Sequence, residues 1–374
     1  MGARARTRTR TKPAEYTAPM RIAVLTSGGD APGMNAAIRT VALAGQHRGH
    51  EVLGVRSGYE GLLAGDVQTF GVGSTDGITG LGGTILGSAR CHTFPTPEGQ
   101  VQALARLREL KIDALVVIGG NGSLTGATLL ARSGVCKVIG LPASIDNDIA
   151  CTGMALGVDT AMNTIVEACD RIADTAGSHQ RTFIVEVMGR DCGYLAMVAG
   201  LAAQADVVLF PEAGKAESAV VEHVMSAIDS AYARQGGRRH VLVIKSEGLK
   251  IESNRLKQLV DEQLGQRYPE GHIDTRVTVL GHVVRGGSPT AFDRMLATRL
   301  ANVAVRALHA GEDQVMAGWS QPLQSRTPSP FDPHVTLWPL DDVLRETGKL
   351  QSGDNSLVRW RVQALSQAEK ILHQ

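Results

Sequence analysis

Aromatic residues make up only 4% of the 374-residue chain, too few for a protein that grips single-stranded nucleic acid by stacking bases. The five cysteines, Cys91, Cys136, Cys151, Cys169 and Cys192, show no C-x-x-C spacing. Neither a zinc site nor a disulfide framework is therefore expected, and the thiols read as reduced, in a cytoplasmic setting. No stretch of eighteen apolar residues occurs, and the first residues lack the apolar core of a signal peptide, so no membrane partner is expected. G-x-G-x-x-G and G-x-x-x-x-G-K-[ST] are both missing, which removes the fingerprints of dinucleotide and P-loop sites. Net charge is nearly absent too, at +1. Residues 1–19 contribute +4 through Arg4, Arg6, Arg8, Arg10 and Lys12 against Glu15, leaving about −3 for the body. No basic footprint for nucleic acid remains on the globular part.

Glycine is plentiful, at 43 residues, many of them where apolar runs end. The runs lie at 22–25, 52–55, 114–118, 138–141, 183–187, 207–210, 241–244 and 277–280. Segments of helical period fall between most of them, at 34–47, 98–110, 158–175, 217–234 and 253–267. This alternation predicts an α/β protein with doubly wound, mainly parallel sheets. The length exceeds what one core usually supports, so two lobes are expected. Residues 1–20 read as a disordered basic tail, and 321–334, rich in proline, as a connection.

The chemistry concentrates where strands end. Gly28-Gly29-Asp30 follows the first apolar run, and Gly119-Gly120-Asn121-Gly122-Ser123 follows the third. Glycines at such turns expose backbone N–H groups to a phosphate. The next run delivers Ser144, Asp146 and Asp148 at a period of two, which on an extended strand end places them on one face. A carboxylate there can take the proton of an attacking hydroxyl, and phosphate-binding glycines beside it complete the minimum kit for phosphoryl transfer to an alcohol. Arg90 follows a glycine-rich turn and Arg190 sits in Met188-Gly-Arg190 after a strand, and both suit phosphate oxygens bidentately.

Thr26-Ser-Gly-Gly-Asp-Ala-Pro-Gly-Met-Asn35, Leu86-Gly-Ser-Ala-Arg90, Ser144-Ile-Asp-Asn-Asp148, Ser178-His-Gln-Arg181, Met188-Gly-Arg190 and Gly281-His-Val-Val-Arg-Gly-Gly-Ser-Pro289 resemble the 6-phosphofructokinase family, in family order, over about residues 21–310. The resemblance implies two similar lobes with the active site in the cleft between them. It places 21–157 and about 286–335 in a nucleotide lobe, and 158–285 and about 336–374 in a sugar-phosphate lobe. It implies ATP at Gly29, Arg90, Cys91, Gly120, Asn121, Gly122 and Ser123. Asp146 becomes the general base, with Ser144, Arg90 and Arg190 on the transferring phosphate. Fructose 6-phosphate is expected at Ser144, Ile145, Asp146, Arg181, Met188, Gly189, Arg190, Glu247, Arg276, His282, Val283, Val284 and Arg285. Arg181 and Arg276 would reach a neighbouring subunit's site, which implies a homo-oligomer, usually a tetramer. Mg²⁺ is implied as cofactor, but its usual aspartate ligand is replaced by Asn121. Gly122 and Ala143 stand where pyrophosphate-using relatives carry aspartate and lysine, so ATP is the favoured donor. The alternatives are a pyrophosphate-dependent enzyme, or a weakly active regulatory paralogue because of Asn121. Arg39, Arg238 and His240 match the family's effector pocket, whereas Leu43 and Ala173 replace arginines, so allosteric control is expected to be weak.

Overall fold

The computed structural model describes residues 18–233, 240–269, 273–320, 329–353 and 355–372. The basic run at 1–17, Arg238 and most of the proline-rich connection lie outside the described residues. The chain begins with β1 (Arg21–Ser27), α1 (Met34–His47), β2 (Glu51–Val55), α2 (Gly58–Ala64), β3 (Val67–Thr69), α3 (Pro97–Glu109), β4 (Ala114–Gly119), α4 (Asn121–Arg132) and β5 (Lys137–Pro142). Helix α5 (Val158–His179) leads to β6 (Thr182–Val187), α6 (Tyr194–Ala202), β7 (Val207–Leu209), α7 (Glu217–Ala233), β8 (Val241–Ser246), α8 (Ser253–Arg267) and β9 (Thr275–Val279). A 3₁₀ turn at Gly281–Arg285 precedes α9 (Ala291–His309), β10 (Val315–Trp319), β11 (Val335–Pro339), α10 (Leu340–Gln351) and α11 (Ser356–Leu372).

Two sheets result. The first has the order β11-β10-β5-β4-β1-β2-β3, the second β7-β8-β6-β9. The second is parallel throughout, while β3 and β11 run antiparallel at the edges of the first. Strand β4, Ala-Leu-Val-Val-Ile-Gly, is buried at every residue, as a parallel strand covered on both faces must be. Its last residue pairs with the last of β1, Ser27 with Gly119. A Cβ at Gly119 would lie 2.4 Å from the Ser27 carbonyl oxygen, so only glycine lets the two strand ends approach. Strand order reverses between β1 and β4, and a crevice at such a reversal is where open α/β sheets bind ligands.

The last crossing between lobes falls later than the sequence implies. Residues from 336 onward were expected in the sugar-phosphate lobe. Instead β11 pairs with β10 in the first sheet, and α10 packs on α4, with Arg132 Nη2 2.6 Å from Asp341 Oδ1. Helix α11 is the part that packs on the second lobe, against α6. Val335, Leu340 and Val343 are fully buried, and this apolar face holds the segment to the first lobe.

Candidate active site

The crevice at the ends of β1 and β4 opens into a cavity of about 450 Å³. All the positions expected to meet nucleotide line it: Gly29, Arg90, Cys91, Gly120, Asn121, Gly122 and Ser123. The glycine-rich stretch is not a loop, however. Asn121 is the first residue of α4, and Gly120 occupies the N-cap with no side-chain cap. The first-turn N–H groups therefore lack an intrahelical partner and face the crevice as anion donors, reinforced by the helix dipole. A Cβ at Gly122 would meet nothing within 4 Å, so the space beside it is open. Tyr59, which sequence reasoning did not single out, forms one wall. It stacks on Phe94 at 4.1 Å, and its hydroxyl donates to the Ser123 carbonyl at 2.6 Å.

The segment after β5 is a turn rather than an extended strand end. Asn147 adopts φ +49°, and its N–H donates to the Ser144 carbonyl at 3.3 Å. Burial still alternates, with Ser144, Asp146 and Asp148 partly exposed between the buried Ile145, Asn147 and Ile149. The three polar side chains therefore share the accessible face, as the period of two implied. Ser144 Oγ donates to Asp148 Oδ1 at 2.8 Å. Asn147 bolts the turn in place, donating to Gly153 O at 3.3 Å and accepting from Ala155 N at 3.0 Å.

Asp146 carries a buried Oδ1 with no hydrogen-bond partner. Burial, then the nearby Asp148, push its pKa up to about 6; Glu247 and Asp191 add to the rise, and Arg285 opposes it. The first lobe thus holds this carboxyl against charges from the second. A group poised near neutrality, with a free oxygen, is suited to accept a proton.

The second lobe supplies the loop after β6. Gly189, at φ +128°, turns the Met188-Gly189-Arg190 segment. Its N–H donates to Glu247 Oε1 at 3.3 Å, and its carbonyl accepts from Ser246 Oγ at 2.6 Å. Glu247 and Arg190 are thereby brought to the same end of the sheet. Ile145, Met188 and Val284 are buried in the core, so only their backbone is offered to the cleft; Val283 is exposed.

Arg285, expected at the sugar phosphate, comes close to the glycine turn after β1. It lines the nucleotide cavity, its Nη1 donates to the Asp30 carbonyl at 3.3 Å, and a Cβ on Gly29 would come within 2.5 Å of it. Arg181 and Arg276 stand at the amino ends of β6 and β9, both paired with Asp274, at 3.1 and 2.6 Å. Three strand residues at roughly 3.3 Å each, then Leu280, separate Arg276 from the turn bearing His282. The structure thus does not bring Arg181 and Arg276 to the cleft of their own chain.

Oxygen donors lining the crevice include the Asn121 amide and the Asp148 carboxylate, with the Asp146 carboxylate close to Asp148. These are hard ligands that suit Mg²⁺ arriving with a polyphosphate. Among the described residues, no group of three His, Cys, Asp or Glu side chains forms a metal cage. Nor is any described helix long and apolar enough to cross a membrane.

Two mainly parallel sheets with glycine-rich strand ends, a helix N-terminus, a carboxyl of raised pKa and facing arginines define a two-lobed α/β protein built to bind phosphates in its cleft. The chain belongs to the phosphofructokinase family, whose sequence model matches residues 21–308. It is 47% identical over 298 residues to the ATP-dependent 6-phosphofructokinase of Natranaerobius thermophilus, covering 80% of this chain and 89% of that protein. The ATP-dependent 6-phosphofructokinase of Brevibacillus brevis is 45% identical, with the same coverage. Among solved structures, Pichia pastoris phosphofructokinase in the T-state superposes with a TM-score of 0.83 at 33% identity, covering 97% of this chain but only 40% of that longer one. A pyrophosphate-dependent phosphofructokinase from Marinobacter aquaeolei, at 22% identity and a TM-score of 0.73, shares the fold.

Proposed function

We infer that the chain transfers the terminal phosphoryl group of ATP to the 1-hydroxyl of fructose 6-phosphate, giving fructose 1,6-bisphosphate and ADP, a step of glycolysis. The observation that carries the chemistry is Asp146, whose unpartnered Oδ1 and raised pKa fit a base that removes the hydroxyl proton. The sugar oxygen bonds to the γ-phosphorus, the bond from that phosphorus to the β,γ-bridging oxygen breaks, and the proton passes to Asp146. The first turn of α4 holds the nucleotide phosphates. Ser144, Arg90 and Arg190 surround the group in transit, where fixed charges stabilise the transition state. Glu247 and His282 meet the sugar. Asn121 and the nearby carboxylates would hold Mg²⁺ together with the nucleotide phosphates, and the ion would supply neutralisation of phosphate charge.

Arg181 and Arg276 serve the 6-phosphate of a second copy of the chain, which supports a homo-oligomer, a tetramer by family resemblance. Both lie at the strand ends opposite their own cleft, already oriented by Asp274. We place the enzyme in the cytoplasm, where its five cysteines, none joined in a disulfide, stay reduced. Gly122 and Ala143 favour ATP over pyrophosphate as donor. A steady-state assay with each donor, across a Mg²⁺ series, tests the reading. ATP should support product formation and pyrophosphate should not; efficient pyrophosphate-driven turnover would overturn it.

A further inference from the structure

Between β3 and α3 the chain runs from 70 to 96 with one 3₁₀ turn, Ile78–Gly80, yet it delivers Arg90 and Cys91 to the nucleotide cavity. A connection of that length has no ladder of its own to hold it. The hold comes from Thr26 and Asn35, the first and last residues of the motif around Gly28 and Gly29, and both side chains are buried. Asn35, in the first turn of α1, donates from Nδ2 to the carbonyls of Leu81 and Gly82, both at 3.1 Å, and its Oδ1 accepts from Ile85 N at 2.7 Å. All three partners are backbone groups of fixed polarity, so the amide has one orientation and both its hydrogens are used. Thr26, near the end of β1, donates from Oγ1 to the Gly87 carbonyl at 2.8 Å. Its one proton is committed there, so it accepts from Thr84 Oγ1 at 2.8 Å, which in turn accepts from Leu86 N at 3.3 Å. Ser88 Oγ then closes on the Gly28 carbonyl, two residues before Arg90.

We propose that Thr26 and Asn35 are positioning residues for Arg90. The middle of their motif, Gly28-Gly29, faces the crevice, while its two ends reach past that turn and fix the Leu86–Arg90 segment. One strand–turn–helix unit thus sets the spacing between the glycine turn and the backbone from which Arg90 reaches the phosphates. An orphaned carbonyl in a buried position is costly, so each of these bonds opposes local opening of the loop. The inference rests on the reading of Arg90 as a phosphate ligand and adds what holds that ligand in place.

The test is a double-mutant cycle on the full chain, read by calorimetric binding of the β,γ-imido analogue of ATP with Mg²⁺. Thr26→Val, equal in shape but without the hydroxyl, should weaken binding by roughly three- to tenfold, the range open to one buried hydrogen bond. Thr26→Ser, which keeps the donor, should bind as the unmodified chain does. In an Arg90→Ala background, itself weaker, the valine substitution should have no further effect, because the loop then has no guanidinium to place. Asn35→Asp, equal in size but with no hydrogen for the Leu81 and Gly82 carbonyls, should show the same pattern from the other end of the loop. A second readout needs no nucleotide. Cys91, next to Arg90, should be alkylated by iodoacetamide roughly threefold faster or more in both variants, while the buried Cys136 and Cys169 keep their rates. Equal losses with and without Arg90 would overturn the inference and leave Thr26 and Asn35 as supports of the fold, as would unchanged Cys91 labelling in both variants. If the unmodified chain bound no nucleotide, the nucleotide-site reading would fall and the positioning role with it, whereas Cys91 labelling would still show whether the two side chains hold the loop.

Discussion

Asp146 is held where it is least comfortable. Its folded pKa of about 6 lies above the ordinary 3.8, so the native state takes up a proton more readily than the unfolded chain. Stability from this group is complete below the unfolded value and is lost as pH rises through 6. At neutral pH the ionised carboxyl costs up to about 3 kcal/mol. Asp146→Asn should therefore lower turnover by ~10²-fold or more while raising stability in urea melts at pH 7.5, and the gain should vanish near pH 4. Turnover of the unmodified enzyme should fall as pH drops through 6. A variant both slow and destabilised would mean that the carboxylate is satisfied by a partner. Gly122 sets the second residue-scale test. Because a Cβ there meets open space, Gly122→Asp should leave melting unchanged yet raise the KM for ATP at least tenfold by repelling phosphate oxygens. If the variant unfolds instead, its kinetics would report packing rather than the donor site.

Helix α1 presents Leu43, 39% exposed, on the surface where the family's effector pocket expects an arginine, and Arg39 is drawn to Asp76 at 3.6 Å. Each charge-assisted contact to an effector phosphate contributes roughly 1.5–3 kcal/mol, comparable to a whole allosteric coupling of about 1–3 kcal/mol. Fructose 6-phosphate saturation should accordingly shift less than about twofold on adding phosphoenolpyruvate; a large cooperative shift would show a pocket built from other residues. Elements differ in how plainly the chain announces them. Buried parallel strands such as β4 are continuous apolar runs, and α1, α5, α7 and α8 have clear helical period, so their positions could be read to within a few residues. Helix α4 could not: Asn-Gly-Ser-Leu-Thr-Gly is poor in helix formers, and its helicity is imposed by packing against β4, β5 and α10. Strand β11 was hidden behind a proline-rich connection, and its pairing depends on a partner close in sequence but not in pattern. Within the site, motifs located Asp146, Arg190 and Glu247. The direction of Arg285 and the bolt made by Asn147 are tertiary facts with no local signal.

At the scale of the molecule, no single chain completes the sugar site if Arg181 and Arg276 belong to a neighbour. Asp146→Asn and Arg276→Ala should each be nearly inactive at low fructose 6-phosphate. Mixing the two after dissociation should restore about a quarter of the sites, because one hybrid site combines an intact Asp146 with an intact Arg276 across a two-fold interface. No recovery would confine each site to one chain. A different feature governs motion within the chain. Helices α5 and α9, which begin the outward and return crossings, start side by side and cap each other. Asp293 of α9 accepts from Gly157 N and Thr160 N at 2.9 Å and from Thr160 Oγ1 at 2.6 Å, while Thr290 Oγ1 donates to Asp159 Oδ2 at 2.6 Å. Two of the three strands of chain that join the lobes thus pass through one riveted point, and the third leaves from the far end of α10. Lobes fastened in this way would move by rotation about the rivet rather than by sliding. A small angular change there would be magnified toward Arg190 and Asn121, whereas the turn bearing Asp146 packs against the pivot itself, through Ile145 beside Gly157.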